Sequence, residues 1–175
     1  MNTQIRHNEE LYKEYINEHK LNVQKAWVSM KNNSECIEFI SKNLSNMTID
    51  IAIDLIDELI KNHDNSKYGK DEFDAYRKEF YPISPEEKES NKNDFERAWK
   101  HHYTNNLHHW NWWCESGNMN NMPFVHVIEM ICDWEAMGYK FGNNSKEWYN
   151  NNKHKIHLGD KQKIFAEGLM NIVCR

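Results

Sequence analysis

The sequence predicts an all-α fold: a bundle of about six to eight helices in a single domain spanning residues 1–175. Three observations carry this expectation. Apolar residues recur three and four positions apart in one stretch after another. No stretch sustains the apolar–polar alternation of a strand. Finally, 39% hydrophobic residues, with 13% aromatic, suffice for a real core at this length without disulfides.

Taken in order, residues 8–31 place Leu11, Tyr15, Ile16, His19, Val23, Trp27 and Met30 on one stripe, so His19 joins an apolar face. A short helix over 34–43 follows. Thr48 or Asp50 caps a third helix, whose inner face is Ile51, Leu55, Ile56, Leu59 and Ile60 and which runs directly into His63 and Asp64. Residues 70–81 read as helix until Pro82 and Pro85 stop it, and "SPEEKESNKND" reads as a solvated loop. From Asp94 to about Trp113 runs a long aromatic helix. Another covers 123–138, with Val127, Ile128, Met130, Ile131 and Trp134 as core and Gly138 and Gly142 ending it. A short segment around "SKEWYNNN" and an amphipathic helix over 160–173 complete the chain.

Composition narrows function. A net charge of −5 lacks the basic face needed to grip nucleic acid by phosphate neutralisation. Cys36, Cys114, Cys132 and Cys174 form no C-x-x-C pair, which argues against a zinc ribbon or a redox dithiol and for reduced thiols. The opening residues lack the apolar core of a signal peptide, and no run reaches the ~18 apolar residues of a membrane span. A soluble protein of the cytoplasm is expected, of a host cytoplasm if phage-encoded. H-E-x-x-H, Glu-x-x-His, P-loop and G-x-S-x-G motifs are all absent, which removes zincin, ferritin-like, P-loop and serine-hydrolase chemistry.

The histidines are the strongest signal. There are ten, and four of them, His101, His102, His108 and His109, fall within "AWKHHYTNNLHHWNWW". His7, His154 and His157 lie in polar surroundings and read as surface residues, His126 as a packing or capping residue, and Trp110, Trp112 and Trp113 as core. His19, the pair His63-Asp64, and Asp133 each sit on or beside an apolar face of successive helices. A buried, ionised Asp133 requires a positive partner, and a divalent metal would serve.

That order of His, His-Asp and Asp resembles the HD-domain superfamily of metal-dependent phosphohydrolases. "HKLNVQKA" from His19 resembles the H-x3-V-x3-A form found around the first histidine there, with Ala26 one position short of that spacing. The resemblance spans roughly residues 10–140 and implies that His19, His63, Asp64 and Asp133 bind one catalytic ion. In a subset of the superfamily, histidines between the HD pair and the last Asp bind a second ion. His102, Asn106 and His109 share one helical face here, as do His101, Asn105 and His108. "HDNSK", "AWKHHYTNNLHHW", "EMICDWEAMG" and "EWYNNNKHKIHL" together look like an uncharacterised bacterial and phage family. Its pattern A-W-x-x-H-x-x-x-N-x-H-H-W selects His102, Asn106, His108, His109 and Trp110.

The resemblance implies a metal-dependent phosphohydrolase acting on a nucleotide or a related small phosphate ester or anhydride, with one or two ions of Mn2+, Fe2+, Mg2+ or Ni2+. Asp64 would ligate metal and orient the nucleophile, while Lys67, Ser66 and Asn106 would contact substrate. Many HD nucleotidases carry a Glu after the pair, whereas this chain has Ser66 and Lys67, so the substrate class stays open. Two alternatives stand beside this reading. One is a cyclic-nucleotide phosphodiesterase; the other is a non-catalytic phage or bacterial helical binding protein, inhibiting a host factor or sequestering a nucleotide, with a structural metal.

Overall fold

The computed structural model describes residues 3–44 and 46–174; residues 1, 2, 45 and 175, within the 1–175 range expected for the domain, lie outside the described residues. All regular structure among the described residues is helical, as expected, and no disulfide joins the four cysteines among the described residues. The ten α-helices are α1 (Thr3–Lys31), α2 (Ser34–Asn43), α3 (Ile49–Asn62), α4 (Phe73–Phe80), α5 (Pro85–Ser90), α6 (Lys92–Asn105), α7 (Trp110–Glu115), α8 (Phe124–Phe141), α9 (Ser145–Asn152) and α10 (Asp160–Val173). Short 3-10 turns occupy Asn65–Tyr68 and Met119–Asn121. None of the described helices is long and apolar enough to cross a membrane.

The count exceeds six to eight for two local reasons. The supposed loop "SPEEKESNKND" forms α5 and opens α6, because Ser84 caps the first turn by accepting from the Glu87 amide while Pro85 fits the first helical position. The supposed single helix over 94–113 is two, because the backbone turns extended at Asn106 and at His109.

Contacts divide the chain into two compact units. The first comprises Met1–His19 and Asp64–Asn106. Its core is aromatic: Tyr12, Ile16, Tyr76 and Ala98 are buried, with Phe73, Phe95 and Trp99 packed against them. Tyr12, rather than the expected Leu11, turns inward. Arg77 of α4, only 1% exposed, donates two hydrogen bonds to Glu87 of α5 at 2.8 and 2.9 Å. Asn91 ties the start of α6 to the Ala75 carbonyl at 2.8 Å.

The second unit comprises Lys20–His63 and Leu107–Arg175. Eleven of the 18 residues of α8 are buried, so this helix is apolar nearly all round and lies at the centre, against α3, α9 and α10. Ala52, Ile56 and Ile60 form the buried face of α3, while Ile51 and Leu55, expected inside, are exposed. Their register is set by Asp57, which accepts from Trp27 Nε1 at 2.5 Å and from Lys31 Nζ at 2.8 Å. Gly138 does not end α8, which continues to Phe141. The chain folds back there so closely that a Cβ on Gly138 would lie 2.5 Å from the Asn143 carbonyl oxygen. Gly142, at φ 76°, supplies the left-handed cap.

The Arg77–Glu87 pair gives a direct test. Glu87→Ala should lower unfolding free energy by about 1.5–3 kcal/mol, the worth of hydrogen bonds to a charged group. Arg77 holds the Glu87 carboxyl below its ordinary value of 4.5, so the stabilisation is complete above that value and is lost as pH falls through the folded-state pKa. Urea denaturation between pH 7 and pH 3 should show wild type and variant converging in acid.

Candidate metal centre

In the first unit the site is built around one backbone turn. Helix α3 stops at Asn62, and Asp64 takes φ 56°, ψ 19°, the one non-glycine residue with positive φ among the described residues. A short polar side chain tolerates this left-handed conformation, at a cost of order 1 kcal/mol. The turn leaves the Asp64 carboxylate only 2% exposed. Its Oδ1 lies 3.3 Å from His102 Nε2, and its Oδ2 lies 3.6 Å from His19 Nε2 and 2.6 Å from Lys67 Nζ. A buried carboxyl group therefore faces two imidazole nitrogens and an ammonium.

Behind His102 stands Glu72, which is fully buried at 0% exposure. Its Oε2 is 2.8 Å from His102 Nδ1 and its Oε1 is 2.8 Å from His101 Nδ1. This contact at Nδ1 orients the His102 ring so that Nε2 faces Asp64, the arrangement by which carboxylates position metal-binding histidines. Burial by itself would push the His102 imidazole down, but Asp64 and then Glu72 outweigh it and raise the pKa. Burial likewise opposes ionisation of Glu72, and the His102 and His101 contacts still hold its carboxyl below the ordinary range. Ser66 and Asn106 join the same network: Asn106 Nδ2 donates to Ser66 Oγ at 2.7 Å and to the His102 carbonyl at 2.8 Å. The hydroxyls of Tyr12 and Tyr76 are buried, with no hydrogen-bond partner among the described residues. Both phenols are pushed up by burial first and then by neighbouring groups that include Asp64 and Glu72.

In the second unit the cluster gathers on α8, where Glu129 and Asp133 lie four residues apart on one face. Glu129 Oε1 is 3.1 Å from Nδ1 of His63 and 3.1 Å from Nδ1 of His108, and its Oε2 is 3.3 Å from Nδ1 of His126. His63 Nε2 points to Asp133 Oδ1 at 3.8 Å. The rings of His63 and His108 lie 4.4 Å apart, and the His109 ring lies tilted beside that of His108 at 4.2 Å.

The seven metal ligands expected from sequence thus fall in these two clusters, His19, Asp64 and His102 in the first unit and His63, His108, His109 and Asp133 in the second. The choice between the two helical faces dissolves: both presumed a continuous helix, and the break at 106–109 leaves neither stripe intact, with His102 buried in the first unit and His108 in the second. His101, 39% exposed, sits on the outer side of Glu72. His7, His154 and His157 are exposed, as expected. Lys67 and Ser66, expected to face a phosphate, are engaged with Asp64 and with Asn106. Two carboxylates escaped notice. Glu129 had the same signal as Asp133, an acidic residue inside an apolar helix; Glu72, opening a polar segment, had none. His126, expected to cap or pack, also contacts Glu129.

The donors are imidazole nitrogen and carboxylate oxygen with no thiolate, a set suited to borderline or hard divalent cations. Buried His, Asp and Glu groups here could hold a metal ion; His63, His108 and Glu129, all in the second unit, form one such group with ligand atoms within 4.8 Å of one another.

Helical units with buried imidazole–carboxylate clusters define the class. The chain belongs to the family of unknown function DUF5662, whose model matches residues 8–174. No curated protein and no solved structure matches it.

Removing the acceptor behind His102 should be costly. Glu72→Ala should destabilise the protein by about 1.5–3 kcal/mol, because the buried His102 ring loses a charged partner in the interior. Urea denaturation of wild type and variant checks this.

Proposed function

We propose that this protein is a metal-dependent phosphohydrolase of HD type, acting on a nucleotide or a related small phosphate ester or anhydride. The observation that carries the reading is the environment of Asp64, a buried carboxylate on a left-handed turn whose two oxygens face His102 Nε2 and His19 Nε2. His19, Asp64 and His102 would hold a divalent ion in the first unit, and His63, His108 and Asp133 would hold one in the second. Such an ion supplies a Lewis acid that lowers the pKa of water and draws charge from phosphoryl oxygens.

The remaining chemistry belongs to the side chains. Glu72 keeps the His102 ring in one orientation. Asp64 accepts a hydrogen bond from the attacking water and so aims it. Lys67, 2.6 Å from Asp64 Oδ2, binds a phosphate oxygen as a compact point charge. Ser66 and Asn106 tie the turn that carries Asp64 and Lys67 to the end of α6, which fixes the spacing between nucleophile and phosphate.

One observation favours a second reading, a structural ion in a binding protein: Asp64 and His102 are almost fully buried. Elemental analysis after loading with Mn2+ or Fe2+, followed by assays on nucleoside triphosphates, monophosphates and cyclic diesters, separates the two. Asparagine tolerates the left-handed conformation, so Asp64→Asn should keep the fold while losing bound metal and at least about 10²-fold in turnover. A variant that loses thermal stability, from a wild type with no turnover, would support the structural ion. A wild type that takes up no metal would end both.

A further inference from the structure

Glu129 meets three imidazoles in the interior of the second unit. It lies in the second turn of α8, is 4% exposed, and faces His63, His108 and His126. All three rings turn the same atom, Nδ1, towards it. A neutral imidazole has one N–H and one lone pair. A carboxylate facing Nδ1 demands the proton there, since two lone pairs would repel, and the ring's own lone pair is then confined to Nε2. For His63 that atom points along the α8 face to Asp133 Oδ1 at 3.8 Å, beyond hydrogen-bond length. Burial would drive the Glu129 carboxyl up, but His108 first, then His126 and His63, hold it well below the ordinary carboxylate range. Imidazole nitrogens thus face both of its oxygens.

We infer that Glu129 is a positioning residue shared by two metal-binding histidines. Its carboxylate fixes the Nδ1–H tautomer and the ring orientation of His63 and His108, so that both present Nε2 to a divalent cation, while His126 holds its second oxygen. With Oε1 facing His63 and His108 and Oε2 facing His126, Glu129 acts in this assignment as the orienting group of that set and not as its ligand. The assignment rests on the metal reading above and adds the device that selects which nitrogen binds.

The test uses the full chain, labelled with 15N-histidine and treated with chelator, and then titrated with Mn2+. Long-range proton–nitrogen spectra, assigned by loss of signals in His63→Gln and His108→Gln, should show Nδ1–H tautomers for both rings. Glu129→Gln should mix the tautomers and weaken Mn2+ binding by about 10–100-fold, the usual effect of losing such a partner, and Glu129→Asp should restore part of it. If Glu129→Gln fails to fold, the wild-type tautomers and Glu129→Asp decide. Nε2–H rings in the wild type, or unchanged Mn2+ affinity in Glu129→Gln, overturn this assignment alone. A wild type that binds no Mn2+ overturns the metal reading, and this assignment with it.

Discussion

A carboxylate cannot be left ionised in a helical interior without groups that answer its charge, because desolvation costs far more than local packing returns. Asp64, Glu72 and Glu129 are each buried to 4% exposure or less. Much of the arrangement follows from how they are answered: imidazoles, an ammonium and the backbone turns that bring them close. Helix α8 shows the constraint most clearly. It is buried on nearly all sides, so Glu129 collects His63, His108 and His126, and Glu135 accepts from the Ser145 amide at 2.8 Å.

The same answer recurs in each unit. A buried Glu takes Nδ1 of a histidine, and the opposite ring nitrogen faces an Asp. Glu72, His102 and Asp64 form this series in the first unit; Glu129, His63 and Asp133 form it in the second. His63 and Asp64 are consecutive in the chain, so one peptide bond separates the residues that serve the two series.

Periodicity made most of the fold legible. The expected helices over 34–43 and 160–173 match α2 and α10 to the residue or nearly so, and the core of α8 was readable from Val127, Ile128, Met130, Ile131 and Trp134. The break at 106–109 was not, because "TNNLHHW" contains neither proline nor glycine; it is made by tertiary contacts, His108 reaching Glu129 and Trp113 Nε1 donating to the Leu107 carbonyl at 2.8 Å. Helix α5 was readable in principle, since Ser84-Pro85-Glu86-Glu87 is a capping sequence, but its charge density suggested a loop. At the site, residue type and burial pointed to the histidines and aspartates. Glu72 was hidden because nothing local marks it: its role depends on His101 and His102, about thirty positions away in the sequence.

The central claim, that Asp64 and the two Nε2 atoms facing it hold a divalent cation, is tested most directly by diffraction from Mn2+-soaked crystals at the manganese absorption edge. An anomalous peak among His19 Nε2, His102 Nε2 and the Asp64 carboxylate is the predicted result. Well-ordered crystals with no peak there, or with manganese confined to exposed carboxylates such as Asp71 and Asp74, would contradict it.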